Sequence, residues 1–234
     1  MNPGGAVFAF VAVAGFAWLI WFVIGKERER SQAREQRATE RGWTYAKGGK
    51  PGLVYTVQGA EGGTQWTLEA FQGGQHKAGR TTWKTPDPPL TGGVVFIGSK
   101  AMAAFLKNPI GHKLAQWGLQ IVLGGDDVSR AWSRLMEGYQ EVDTGDMDFA
   151  ASYAVLATDP GQAQRFLTGD VRRGILDWDS SHKIGRASRG QLGVTWSDAG
   201  LSLTWSASAL GQADDMVAFV ELCLLMRSSA RSGW

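Results

Sequence analysis

The residues best equipped for chemistry fall into a few short segments. Gly124-Gly125-Asp126-Asp127 has the letters of a turn that holds metal over a nucleotide. Such a turn sits between two strands, with its carboxylates free. Here Val128, Trp132, Leu135, Met136 and Tyr139 follow at helical spacing, so the two aspartates read as the opening of a helix, whose positive end favours them. Glu141, Asp143, Asp146 and Asp148 gather in EVDTGDMD. A calcium loop needs further oxygen ligands beyond that point, and the apolar Phe149-Ala150 stands in their place. A solvated acidic loop is expected. His76 lies in GGQHKAGR, which lacks the Gly-x-x-x-x-Gly-Lys-Ser/Thr pattern of a phosphate cradle. Cys223, the single cysteine, excludes a disulfide framework and a cysteine-built zinc site, and its apolar neighbours make it a small core residue. His76, His112 and His182 stand in separate segments. No catalytic residue, cofactor ligand or metal ligand is assigned.

Four tryptophans, Trp66, Trp83, Trp196 and Trp205, are the remaining candidates, as the walls of a ligand groove. Their neighbours alternate with period two, which places them on strands packed against a core. Leu53, Tyr55 and Val57 alternate, then Trp66, Leu68 and Ala70 after GAEGG, a hairpin pattern. Val94-Val95-Phe96-Ile97 reads as a buried strand after the breaker PDPP. A short helix runs from Ser99 to Leu106, and the stripe from Val128 to Tyr139 predicts another. Phe149, Ala151, Tyr153, Val155 and Ala157 predict a strand. Asp159-Pro160 opens a helix that Gly169 divides. Val194 and Trp196 pair with Leu201, Leu203 and Trp205 across SDAG, and a buried helix spans about Ala213 to Arg227.

These elements follow an apolar segment. Ala6 to Ile24 carries no charge over nineteen residues, roughly 28 Å as a helix. Trp18 and Trp21 suit a headgroup boundary, and Lys26, Arg28, Arg30, Arg34, Arg37 and Arg41 all follow the run. This predicts a transmembrane helix marked by Ala6, Trp18, Trp21 and Ile24, with the N-terminus outside and the body in the cytoplasm, at an inner (plasma) membrane. Glu27 to Arg41 would stand in water as a charged stalk. Residues 1–41 are then anchor and stalk, 42–100 a β-rich part, and 101–234 an α+β part. The fold class expected is α+β, a body of antiparallel β-hairpins and packed helices behind an anchor.

Composition excludes several classes. The chain has 234 residues, 44% hydrophobic and 20% charged, too apolar for disorder. Its net charge of +2 is too small for a nucleic-acid binder. The charge is unevenly spread. Residues 42–113 hold eight Lys/Arg against three Asp/Glu, and residues 114–179 five against eleven. Lys47, Lys50, Lys77, Arg80 and Lys84 make a basic side suited to anionic lipid, and the acidic middle suits a protein partner. Gly5 and Ala9 give a small-xxx-small pair that favours self-association only weakly.

Gly42-Trp43-Thr44-Tyr45 after a span and a basic stalk, then Phe149-x-x-x-Tyr153-x-Val155, an Asp-capped helix, a tryptophan-bearing hairpin and a final helix, resemble bacterial single-pass membrane-anchored proteins. The resemblance covers most of the chain and implies the architecture. It carries no activity and no catalytic residue. The expected function is that of a non-catalytic, membrane-anchored module without a cofactor, an accessory subunit or assembly factor that meets the bilayer and another membrane protein or complex. A hydrolase, or a lipid or small-ligand binder, is the alternative.

Overall fold

The computed structural model describes residues 3–74, 79–107, 126–182, 191–206 and 209–232; the side chains of 3–17, 19–20, 105–107, 126–130 and 132 lie outside the description. Among the described residues, nine strands build one sheet. They are β1 (Thr44–Lys47), β2 (Leu53–Glu61), β3 (Thr64–Phe71), β4 (Arg80–Thr85), β5 (Val95–Ser99), β6 (Gln140–Glu141), β7 (Tyr153–Ala157), β8 (Leu192–Ser197) and β9 (Gly200–Trp205). Their order is β1-β2-β3-β4-β9-β8-β5-β7-β6, and every neighbouring pair is antiparallel. The helices are α1 (Pro3–Glu40), α2 (Lys100–Lys107), α3 (Asp126–Glu137), α4 (Met147–Ser152), α5 (Pro160–Phe166), α6 (Gly169–Ser181) and α7 (Ala213–Ser232). The fold is α+β. Pairing of β4 with β9 carries the sheet from the first β-rich stretch into the later elements.

The period-two pattern divides the sheet into two faces. Tyr55, Val57, Trp66, Leu68, Trp83, Leu203, Trp205, Val194, Trp196 and Ile97 point one way, all buried, and α5, α6, α7 and the end of α1 pack over them. Trp66 meets Trp43 edge-on at 5.2 Å and lies 6.3 Å from Trp83. Gly59 sits opposite Trp66 because a Cβ there would come within 2.3 Å of the indole ring. On the other face Phe96 and Leu156 pack with Val94, Ala131 and Leu135, so α3 covers the β8–β5–β7 end. In α7, Met216, Phe219, Val220, Cys223, Met226 and Ala230 form the buried stripe. Burial pushes the Cys223 thiol well up, which fits its reading as a core residue.

Both expected hairpins are present, as β2–β3 and β8–β9. The strand expected over Phe149–Ala157 is corrected. Asp146 accepts a hydrogen bond from the Phe149 N–H at 3.0 Å, and this cap turns Met147–Ser152 into α4, so the strand begins only at Tyr153. Alternation at Phe149 and Ala151 was compatible with either outcome. The cap decides it. Asp159 accepts from Gly161 and Gln162 to open α5, and Thr168 accepts from Val171 to open α6, the division expected near Gly169.

The membrane anchor is corrected too. Among the described residues, no helix is long and apolar enough to cross a membrane. The apolar run does not stand as a separate element. It continues without a break into Lys26-Glu27-Arg28-Glu29-Arg30 within the single helix α1, and the described part offers only Trp18 and Trp21–Ile24 ahead of those charges. Ala6 lies outside the described side chains, whereas Trp18, Trp21 and Ile24 are exposed. The single-pass topology, its N-out orientation and the inner-membrane placement lose their support with it.

The stalk also differs from expectation. Ser31, Arg34 and Ala38, spaced three and four apart, are buried against the body, beside α7 and β1. Arg34 is only 2% exposed. It donates to Glu27 Oε1 at 2.6 Å, to the Arg30 carbonyl at 3.2 Å and to the Leu210 carbonyl at 3.4 Å, with its guanidinium 4.7 Å over the Tyr55 ring. Tyr55 also donates to the Leu210 carbonyl, at 2.9 Å. A buried arginine is tolerable because each of these contacts replaces water. Burial pushes the Tyr55 phenol well up, against the lowering influence of Arg34.

Candidate functional site

The partly open face over β3, β4, β9 and β8 holds a cavity of about 400 Å³. Register builds its floor. Thr67 pairs with Lys84, Lys84 with Ser202, and Ser202 with Thr195, so four consecutive strands place one side chain each in a row. At the usual strand spacing that row is roughly 14 Å long. Gln65, Ser197 and Gly200 line the cavity beside it. Gly200 is required there. Its φ is +101°, and a Cβ would fall 2.1 Å from the Thr85 carbonyl oxygen. Arg134 donates to Asp198 at 2.6 Å and so ties α3 to the β8–β9 turn next to Ser197 and Ala199.

The hydroxyls of this row have hydrogen-bonding capacity that no described residue takes up. Among the described residues, the side chains of Gln65, Thr67, Thr195 and Ser202 make no hydrogen bond. Ser197 accepts one from the Ala199 N–H at 3.3 Å. Lys84, itself partnered, brings the only charge among the described lining residues, which include no carboxylate, histidine or cysteine. Sequence reading missed these residues. The signal was present in the same alternation that found the core, because Thr67 and Ser202 are the opposite parity of Trp66-Leu68 and Leu201-Leu203.

Other charged groups are spent on structure. Asp87 Oδ2 accepts from Arg227 at 3.1 Å and from Arg231 at 2.7 Å, and Thr64 donates to it at 3.3 Å, which pins the end of α7 to the β2–β3 hairpin. Desolvation raises the Asp87 carboxyl, but the hydrogen bonds from Arg227 and Arg231 outweigh it and hold it below the usual range. Asp146 is held low first by the Phe149 N–H and further by Arg172, against a smaller desolvation effect. Asp143 accepts from the Gly145 N–H at 2.9 Å. The acidic loop therefore serves a turn and a cap. Among the described residues, no group of three His, Cys, Asp or Glu is placed to hold a metal ion.

His182 is the one described histidine. Its ring stacks on Trp178 with centroids 3.7 Å apart, Nδ1 lies 2.9 Å from the Trp178 carbonyl, and Nε2 lies 3.3 Å from Asp215. A catalytic histidine needs one nitrogen for its orienting carboxylate and the other for a nucleophile. Here a carbonyl and a carboxylate lie beside the two nitrogens, and no described nucleophile does.

Of the five basic residues expected on one side, those on described strands do not share a face. Register puts Lys47 opposite Tyr55, on the tryptophan face, while Arg80 and Lys84 point to the other. Lys50 is exposed in the turn before β2, and the Arg80 guanidinium lies 4.8 Å over the Phe71 ring. Lys77 and His76 lie outside the described residues, as do His112 and Gly124-Gly125. Asp126 and Asp127 begin α3, in place of a turn between strands. All four candidate tryptophans are core residues, and Trp66 and Trp83 leave their indole N–H groups without a partner among the described residues. Comparison with family models, with curated proteins and with solved structures gives no match for this chain.

Proposed function

We propose that the protein is a non-catalytic binding module that serves as an accessory subunit or assembly factor of a larger complex. The observation that carries this reading is the setting of His182, the one described histidine, whose Nδ1 lies 2.9 Å from the Trp178 carbonyl and Nε2 3.3 Å from Asp215, so that neither nitrogen faces a described nucleophile. The shifted carboxyls of Asp87 and Asp146 lie on separate elements, each held by arginine, which is the pattern of structural ion pairs. A hydrolase would want such groups together in one cleft.

Partner contact falls on the loop that carries the acidic residues. Met147 is 89% exposed, and Asp143 and Asp148 are exposed beside it in sequence. A lone apolar side chain flanked by carboxylates suits a basic partner surface with an apolar socket. A photo-crosslinking side chain in place of Met147 in the full chain should give one discrete adduct in cells, and Asp143→Lys with Asp148→Lys should abolish it. An equal adduct from an exposed position on α6, such as Asp177, would sink the partner assignment. Turnover of a carboxylester, phosphoester or glycoside by the pure protein, lost on substitution of His182, would sink the non-catalytic reading itself.

A further inference from the structure

We propose that the row Thr67–Lys84–Ser202–Thr195 binds an anionic polyol, a small molecule with several hydroxyls and a carboxylate or phosphate, laid across the strands. This deepens the binding-module reading and rests on it. The row offers three hydroxyls and the Gln65 amide with no protein partner, and each of those groups both donates and accepts. A ligand hydroxyl does the same, so a polyol can satisfy them in sequence along the row. Among the described residues, the lining includes the ammonium group of Lys84, itself partnered, and no carboxylate. An anionic group on the ligand therefore meets no like charge there, and a cationic one meets Lys84.

Other ligand classes fit less well. A nucleobase would want an aromatic face to stack on, and the Trp66 ring belongs to the opposite face at 2% exposure. A lipid chain would want a wholly apolar floor, whereas here Pro86, Ala199 and Leu201 share the lining with threonine, serine and lysine side chains. An extended peptide adds to a sheet edge, but β3, β4, β9 and β8 each have a hydrogen-bonded strand on both sides. The volume of about 400 Å³ lies within the range of small-molecule sites.

The test titrates the full chain with gluconate, sorbitol and inorganic phosphate at constant ionic strength, read by backbone and methyl NMR shifts. Gluconate should move Thr67, Thr195 and Ser202 and their strand neighbours, with sorbitol weaker and phosphate weaker still. The triple variant Thr67→Val, Thr195→Val and Ser202→Ala should weaken gluconate at least about tenfold with an unchanged melting temperature. Lys84→Gln should abolish the preference for gluconate over sorbitol while leaving sorbitol binding in place. Shifts that avoid the row, phosphate binding as tight as gluconate, or a triple variant that binds gluconate as the parent does would each overturn the proposal. Its failure leaves the accessory-module reading standing, whereas chemical conversion of bound gluconate would sink that reading alone.

Discussion

The two faces of the sheet are made by the same strands and behave as different materials. On β3, β4 and β9 the inward residues, Trp66, Leu68, Trp83, Leu203 and Trp205, form a dry layer under α6 and α7, and the residues that alternate with them, Thr67, Lys84 and Ser202, form a polar row. The packed face sets the position of the polar one. Because strand register is fixed wherever one face is buried, every hydroxyl in the row is placed by a tryptophan or leucine one residue away. The difference teaches that stability and recognition are here separable by parity along a single strand.

The largest expected break in that comparison is Trp83→Ala. It empties a fully buried site between Leu68 and Leu203 and should cost about 3–5 kcal/mol in urea denaturation, with the polar row lost along with the register. Asp87→Asn comes next. It leaves Arg227, 4% exposed, with only the more distant Glu61 carboxylate at 4.0 Å as a charged partner, and should cost about 1–3 kcal/mol. Because the folded carboxyl is held below its unfolded value, the Asp87 contribution is complete above the usual carboxylate range and is lost as pH falls through the folded value. Urea midpoints of the parent should thus fall more steeply on acidification than those of the Asn variant, and parallel slopes would contradict the assignment.

How much of this was legible in the sequence depended on whether a pattern was local. Leu201, Leu203 and Trp205 opposite Val194 and Trp196 showed a hairpin because two strands and a short turn contain the whole signal. Asp159-Pro160 showed a helix start for the same reason. Arg34 did not reveal its burial, because the carbonyl of Leu210 and the ring of Tyr55 that receive it are far away in the chain. Asp146 was read as one carboxylate among four, when its reach to the Phe149 N–H decides that α4 precedes β7. The polar row was hidden differently. Its strands β3, β4, β9 and β8 come together in an order that no stretch of sequence contains, so Thr67 and Thr195 could not be seen as parts of one site.

Smaller effects sharpen the contrast. Gly59→Ala drives a methyl into the Trp66 ring and should cost about 1–3 kcal/mol, although the group added is small. Thr67→Val, on the polar row of the next strand, should change the urea midpoint very little, because its hydroxyl holds no other described group.

The separation of the two faces is tested most directly by neighbours on β9. Leu203 is buried under the helices and Ser202 faces the cavity. Equilibrium urea denaturation of Leu203→Ala and Ser202→Ala should show a loss of about 2–5 kcal/mol for the first and less than about 0.5 kcal/mol for the second. Equal losses would mean that Ser202 is part of the packing, and the polar row would then be structure with no ligand to hold.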